Sequence, residues 1–157
     1  GSDGPDTEEL KVRHAGDPRL VWLGRLSDEE KRQRLRAADV FCAPSLRGES
    51  FGVVLLEAMA AETAIVASDL SGYRLVARPD RDGLLVPPGD VAALAGALIR
   101  VLDDPALRAR LVASGTERAV EFSMESLADA YLELYEQVTT AAPQARGWRR
   151  LRSRGHL

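Results

Sequence analysis

Two carboxylates eight positions apart, Glu49 and Glu57, frame the stretch of this chain best suited to chemistry. The apolar run Val40-Phe41-Cys42-Ala43 stops at Pro44, which has no N–H to give to a central strand's ladder. A polar turn with Gly48 follows, and helix-forming residues run on from Ser50 or Phe51 to Ala61. The pattern reads as strand, loop, helix N-terminus. In an open α/β sheet, the carboxyl end of a strand beside a helix start is where ligands bind. Free N–H groups and the positive end of the helix dipole suit that place to phosphate. With Glu49 in the loop and Glu57 on the second turn, the two heads stand roughly 10 Å apart along the axis. That is too far to share a proton, but it suits a grip on two parts of one elongated ligand. Two anions beside a phosphate seat are tolerable where they accept hydrogen bonds from hydroxyls, as on ribose or another sugar. The same residues fit a plainer reading equally well, with Glu49 complementing the helix dipole and Glu57 merely solvated.

The elements that carry this stretch alternate between strand and helix. A short helix ends at Thr7–His14, and Leu20-Val21-Trp22-Leu23 reads as an apolar strand closed by Gly24. Ser27 with Glu30 forms a capping box opening a helix to about Ala37. Ala38–Ala43 is the strand before the central motif. Ala61-Glu62-Thr63 ends the central helix without glycine, so a left-handed Glu62 would cost roughly 1 kcal/mol. Further strands are expected at Ala64–Ala67 and Gly83–Pro87, with a short helix around Tyr73–Ala77 between them. Asp90 caps a helix over Val91–Leu102. Pro105 opens another to about Ser114, Glu117–Glu121 forms a short one, and Ser123 opens the last. In that last helix Leu127, Tyr131, Leu134 and Val138 fall at helical spacing and are expected to be packing surface. Four strands, around Val21, Val40, Ile65 and Leu85, alternate with helices. This predicts an α/β fold, a Rossmann-like three-layer arrangement of a parallel sheet with flanking helices.

Gly48-Glu49-Ser50-Phe51-Gly52 followed by Val53-Val54-Leu55-Leu56-Glu57-Ala58-Met59-Ala60 resembles the signature of retaining glycosyltransferases with the two-domain GT-B fold. The resemblance covers about Gly4 to Val138. Ala38-Asp39-Val40-Phe41-Cys42-Ala43-Pro44, Ala67-Ser68-Asp69-Leu70 and Tyr73-Arg74 are similar, more narrowly, to actinobacterial phosphatidylinositol mannosyltransferases, which use GDP-mannose. The resemblance implies a donor diphosphate over the Glu49–Gly52 turn, held by backbone N–H groups of Ser50, Phe51 and Gly52 where Val53 continues the helix. Gly48 and Gly52 would let phosphate approach the backbone closely. Glu57 would accept from the ribose hydroxyls, and Glu49, the catalytic candidate, would touch the transferred sugar. Gly24 and Arg25, at a second strand end, would lie where the family places the base. No cofactor beyond the sugar nucleotide and no metal is implied. The family's phosphate-binding Arg and Lys follow an earlier strand. Arg25 and Lys31 imitate their spacing at a later strand, so that role is not carried over to them.

In the family the Asp3-Gly4-Pro5 turn follows a buried strand. The expectation is therefore a C-terminal donor lobe over 1–140, incomplete at its N-terminus, lacking the acceptor lobe, inactive alone, and followed by a basic disordered tail, 141–157. That tail holds five of the 21 basic residues and no acid, leaving 16 basic against 24 acidic residues in the body, a balance of −8. An acidic body argues against nucleic acid as partner. The expected partners are a nucleotide sugar and a lipid or glycan acceptor. The arginines and Trp148 offer a contact with anionic membrane, worth about 1 kcal/mol per cation. No apolar run approaches the roughly 20 residues of a spanning helix. The lone Cys42 and the absence of a disulfide pattern point to the cytoplasm, peripherally on the inner face of the plasma membrane. His14 and His156 have no catalytic constellation and read as surface residues. The competing functions are a non-catalytic nucleotide-sugar binding module, an inactive fragment kept for packing, and a sugar-nucleotide epimerase.

Overall fold

Three parallel strands form the centre of the computed structural model, which describes residues 4–141: β1 (Val40–Ala43), β2 (Ala64–Ser68) and β3 (Leu84–Val86), in the order β1-β2-β3. Val40 stands opposite Ala64 and Cys42 opposite Val66, while Val66 faces Leu84 and Ser68 faces Val86. All three carboxyl ends therefore open on one rim, where Pro44, Asp69 and Pro87 follow the strands. Seven helices accompany the sheet among the described residues: α1 (Thr7–Arg13), α2 (Asp28–Arg36), α3 (Val53–Ala60), α4 (Ser71–Val76), α5 (Val91–Asp103), α6 (Pro105–Glu121) and α7 (Met124–Ala141).

β2 is buried at every position, and its alternation divides the core, as strand geometry requires. Ile65 and Ala67 pack with Leu55, Met59, Tyr73 and Val76 from α3 and α4. Ala64 and Val66 pack with Ala97, Val101, Leu107 and Leu111 from α5 and α6. The three layers expected from the sequence are present, and a strand covered on both faces reads as a continuous apolar run.

Local signals held where they were self-contained. Ser27 and Glu30 close the capping box of α2, and Asp90 accepts from the Ala93 N–H at the head of α5. Glu62 does take the left-handed conformation, at φ 60°. Around it the Thr63 N–H bonds to the Ala58 carbonyl and the Glu62 N–H to that of Met59, each at 3.0 Å, the pair of bonds of a Schellman ending.

Four expectations are corrected. Leu20–Leu23 is not a strand, and all four side chains are exposed. A strand exists only where a neighbour completes its ladder, and no described segment pairs with this one. The central helix starts at Val53, after Ser50 and Phe51, because Gly52 sits at φ 89° and cannot be part of it. Residues 105–121 form one helix where two were expected. Gly115 lies inside it because a Cβ there would come within 3.2 Å of Met59 Cγ, so the glycine serves close packing. Finally, Leu127, Tyr131, Leu134 and Val138 are exposed.

The chain divides into two units, one up to Ala119 and one from Val120. The arginine-rich stretch 142–157, with the expectations of disorder and membrane contact placed on it, lies outside the described residues.

Candidate functional site

β1 delivers the chain to Pro44 at the sheet's carboxyl rim, and residues 45–52 carry it to α3. Two left-handed glycines shape this loop, Gly48 at φ 88° and Gly52 at φ 89°. They differ in surroundings. A Cβ on Gly48 would meet open space, whereas one on Gly52 would stand 2.7 Å from the Tyr73 ring. Close phosphate approach is therefore open at Gly48, while the space beside Gly52 belongs to Tyr73.

Gly72 fits still more closely. A Cβ there would lie 2.3 Å from the carbonyl oxygen of Glu49, so α4 supports the loop backbone directly. Above this contact Ser45 Oγ donates to Glu49 Oε1 at 3.3 Å and lies 3.1 Å from the Tyr73 hydroxyl. Tyr73 is 1% exposed. Burial pushes its phenol above the ordinary range, with Ser45 opposing, and the Glu49 carboxylate adds to the rise through its charge and through a hydrogen bond with the phenol. At neutral pH it is a protonated donor.

Glu57, half-buried on α3, faces the other way. Lys31 from α2 reaches its Oε1 at 2.6 Å and also stands 3.3 Å from Asp28 Oδ1. The hydrogen bond to Glu57 raises the Lys31 ammonium above its ordinary value, against a smaller desolvation effect, and Asp28 adds to the rise. A cleft of about 630 Å³ opens here, lined by Lys31, Leu35, Arg36, Glu57, Ala60 and Ala61 among others. Glu49 and the Gly48–Val53 segment are not in its wall. The structure thus gives the two glutamates different neighbours.

The helix start moves the free donors. Val53 and Val54 are the first residues of α3, and the Leu55 N–H already returns to the Gly52 carbonyl at 2.9 Å. The unsatisfied N–H groups of a helix start are those of its first turn, so the free donors here are those of Val53 and Val54, whose side chains are exposed. Ser50 and Phe51 are exposed in the loop before it. Gly24, at φ 62°, and Arg25 are exposed after the unpaired 20–23 segment. Among the described residues Arg25 makes no ion pair with either glutamate.

Sequence reasoning missed Ser45, Gly72 and Tyr73 as supports of Glu49, and Lys31 as the partner of Glu57. One signal for Lys31 was available: it lies four before Leu35, the apolar residue of α2, the spacing of a single helix face, and the structure leaves both half-buried on an otherwise exposed helix.

Residues 1–118 match the model of the glycosyl transferases group 1 family. The chain belongs to this family. It is 44% identical over 137 residues to a phosphatidyl-myo-inositol mannosyltransferase of Mycobacterium leprae, covering 87% of this chain and 37% of that protein. A D-inositol 3-phosphate glycosyltransferase of Corynebacterium efficiens is 36% identical over 87% of this chain and 32% of its own length. The chain thus spans little more than a third of the curated relatives it matches. Its fold matches GT-B glycosyltransferase structures. Sucrose-phosphate synthase from Thermosynechococcus elongatus superimposes with a TM-score of 0.77 at 34% identity, over 90% of this chain and 38% of that one. Anabaena HepE, solved in complex with UDP, gives 0.74 at 22% identity, over 84% and 36%, a likeness of fold alone.

Proposed function

We propose that this group 1 glycosyltransferase chain binds the sugar-nucleotide donor of a retaining mannosyl transfer, from GDP-mannose to a phosphatidylinositol-type lipid. The observation that carries the reading is the placement of Glu49 and Glu57 on either side of the α3 start, at the carboxyl end of β1. The similarity to phosphatidyl-myo-inositol mannosyltransferases supports the choice of sugar and acceptor.

In this reading the diphosphate sits on the first N–H groups of α3, next to the open face of Gly48. Charge growing on the departing diphosphate is stabilised there by fixed dipoles that need no rearrangement. Glu57 accepts from the ribose hydroxyls at the mouth of the cleft it shares with Lys31. Glu49 accepts from a hydroxyl of the transferred hexose and so orients its anomeric carbon. No metal or second cofactor has a step to perform in this scheme. A lipid acceptor requires an approach to a membrane surface, which fits peripheral attachment: no helix among the described residues is long and apolar enough to cross a bilayer.

Calorimetry of the chain with GDP tests the nucleotide half of this reading. Glu57→Ala removes hydrogen bonds to a charged acceptor, each worth about 1.5–3 kcal/mol. The expected loss of GDP affinity is about tenfold to a hundredfold, and an unchanged affinity removes Glu57 from the ribose.

A further inference from the structure

Glu49 is held by a hydrogen-bonded chain that reaches into the core. Ser45 has one hydroxyl proton, and it goes to Glu49 Oε1. The 3.1 Å contact between Ser45 and Tyr73 is then made by the phenolic proton, with Ser45 Oγ accepting. The direction along this contact is therefore Tyr73 to Ser45 to Glu49, and the Tyr73 phenol also interacts with the Glu49 carboxylate directly. Its inner end cannot wander: Tyr73 is 1% exposed in the α3–α4 core, and its ring fills the space beside Gly52. Its outer end is tied twice, through the Glu49 carboxylate and through the Glu49 carbonyl packed on Gly72. A flexible glutamate on a glycine-bounded loop loses side-chain freedom when it binds. A partner that fixes it beforehand removes part of that loss.

We propose that Ser45 and Tyr73 are positioning residues for Glu49, a relay of two hydroxyls that sets where its carboxylate meets the sugar part of the donor. This rests on the donor role proposed for Glu49. The two hydroxyls touch no ligand themselves. They govern the increment of affinity that the sugar adds to the nucleotide, and leave nucleotide binding alone.

The experiment is calorimetry of the full 157-residue chain with GDP and with GDP-mannose, for wild type, Glu49→Gln, Tyr73→Phe and Ser45→Ala. NMR order parameters of the 48–51 amides are measured without ligand. Tyr73→Phe keeps the ring against Gly52 and removes only the hydroxyl. Both hydroxyl variants should keep GDP affinity within about twofold and lose about threefold to tenfold of the GDP-mannose preference, the range of one neutral hydrogen bond. Their loop order parameters should fall. If Glu49→Gln abolishes the preference while both hydroxyl variants retain it, the relay is overturned and the donor reading stands. If wild type shows no preference, or Glu49→Gln retains it, the sugar contact of Glu49 fails and the relay with it. Equal losses for GDP and GDP-mannose, or unchanged order parameters in both hydroxyl variants, also overturn the relay.

Discussion

Glu49 leans on α4 and Glu57 leans on α2, and the two supports differ in kind. Beneath Glu49 lie a buried tyrosine and two glycines, Gly52 and Gly72, whose missing side chains let backbone and ring pack within contact distance. Beside Glu57 stands a lysine of similar exposure, 38% against 35%, in an open cleft. Packing fixes the first carboxylate. The second is fixed by an ion pair that water and salt weaken. Two residues with one side-chain chemistry are thus given different tolerances: Glu49 is sensitive to shape and Glu57 to charge.

The sharpest way to separate the two sides is to strike the ground under α4. Immediately after α4, the Asp82 side chain is fully buried and accepts from Arg78 Nε at 2.7 Å, Arg78 Nη2 at 2.8 Å, the Arg78 N–H at 2.9 Å and Ser114 Oγ at 2.7 Å. Burial pushes this carboxyl up, but the hydrogen bonds from Arg78 and Ser114 together outweigh it and hold it below the ordinary range. Asp82→Ala should cost about 3 kcal/mol in urea unfolding, the loss of hydrogen bonds to a charged acceptor worth about 1.5–3 kcal/mol each, less what water returns to Arg78, whose side chain is 34% exposed. Because the folded carboxyl is the stronger acid, its contribution is full above about pH 4 and is lost as pH falls through the folded value. Wild-type stability should therefore fall in acid, and the variant's should fall less. Parallel acid curves for the two would remove the knot from the account.

Gly72→Ala comes next in size. The new Cβ meets backbone, the Glu49 carbonyl at 2.3 Å, which cannot rotate away, so about 1–3 kcal/mol should be lost as in other overpacked sites. A thermal midpoint equal to wild type would show that the loop is free to move off α4, and the contrast between the two glutamates would go with it.

Smallest is Lys31→Met on the Glu57 side. The pair is more than a third exposed, so water screens it and its removal should change stability least of the three, by a difference that shrinks further in high salt. Here the pH dependence runs the other way. The Lys31 ammonium is raised in the fold by Glu57, so its contribution is present below about pH 10 and is lost as pH rises through the folded value. A loss as large as that of Gly72→Ala would show that the two glutamates are held in the same way.

The legible parts of this chain were those whose physics is local. Pro44 ending β1, Ser27 and Asp90 capping their helices, and Glu62 forced into a left-handed turn each follow from a few neighbouring residues. The positions of Glu49 and Glu57 on either side of the α3 start were legible for the same reason. What was not legible depends on distant partners. Leu20–Leu23 has the composition of a strand but no neighbour among the described residues. Gly115 resembles a helix stop until Met59 is known to lie against it. The supports of Glu49 were hidden because Tyr73 is 28 residues from Ser45, and nothing near either residue announces the other. Packing also moved the free N–H groups of the helix start: Gly52 turns beside the Tyr73 ring, and the helix starts at Val53.

Arg118 adds an order in time to this arrangement. α4 has six residues, too few to persist as a helix by itself. Its last carbonyls, those of Leu75 and Val76, accept from the Arg118 guanidinium of α6 at 3.0 and 2.9 Å, across 43 and 42 positions of chain. Contacts between residues so far apart form late, because the intervening loop must close before they return anything. The segment that seats Glu49 lies early in the chain, yet the last carbonyls of α4 gain their donor only when α6 is in place. A nascent chain that has not reached Arg118 therefore carries both glutamates with the end of α4, the helix beneath Glu49, still lacking its long-range donor.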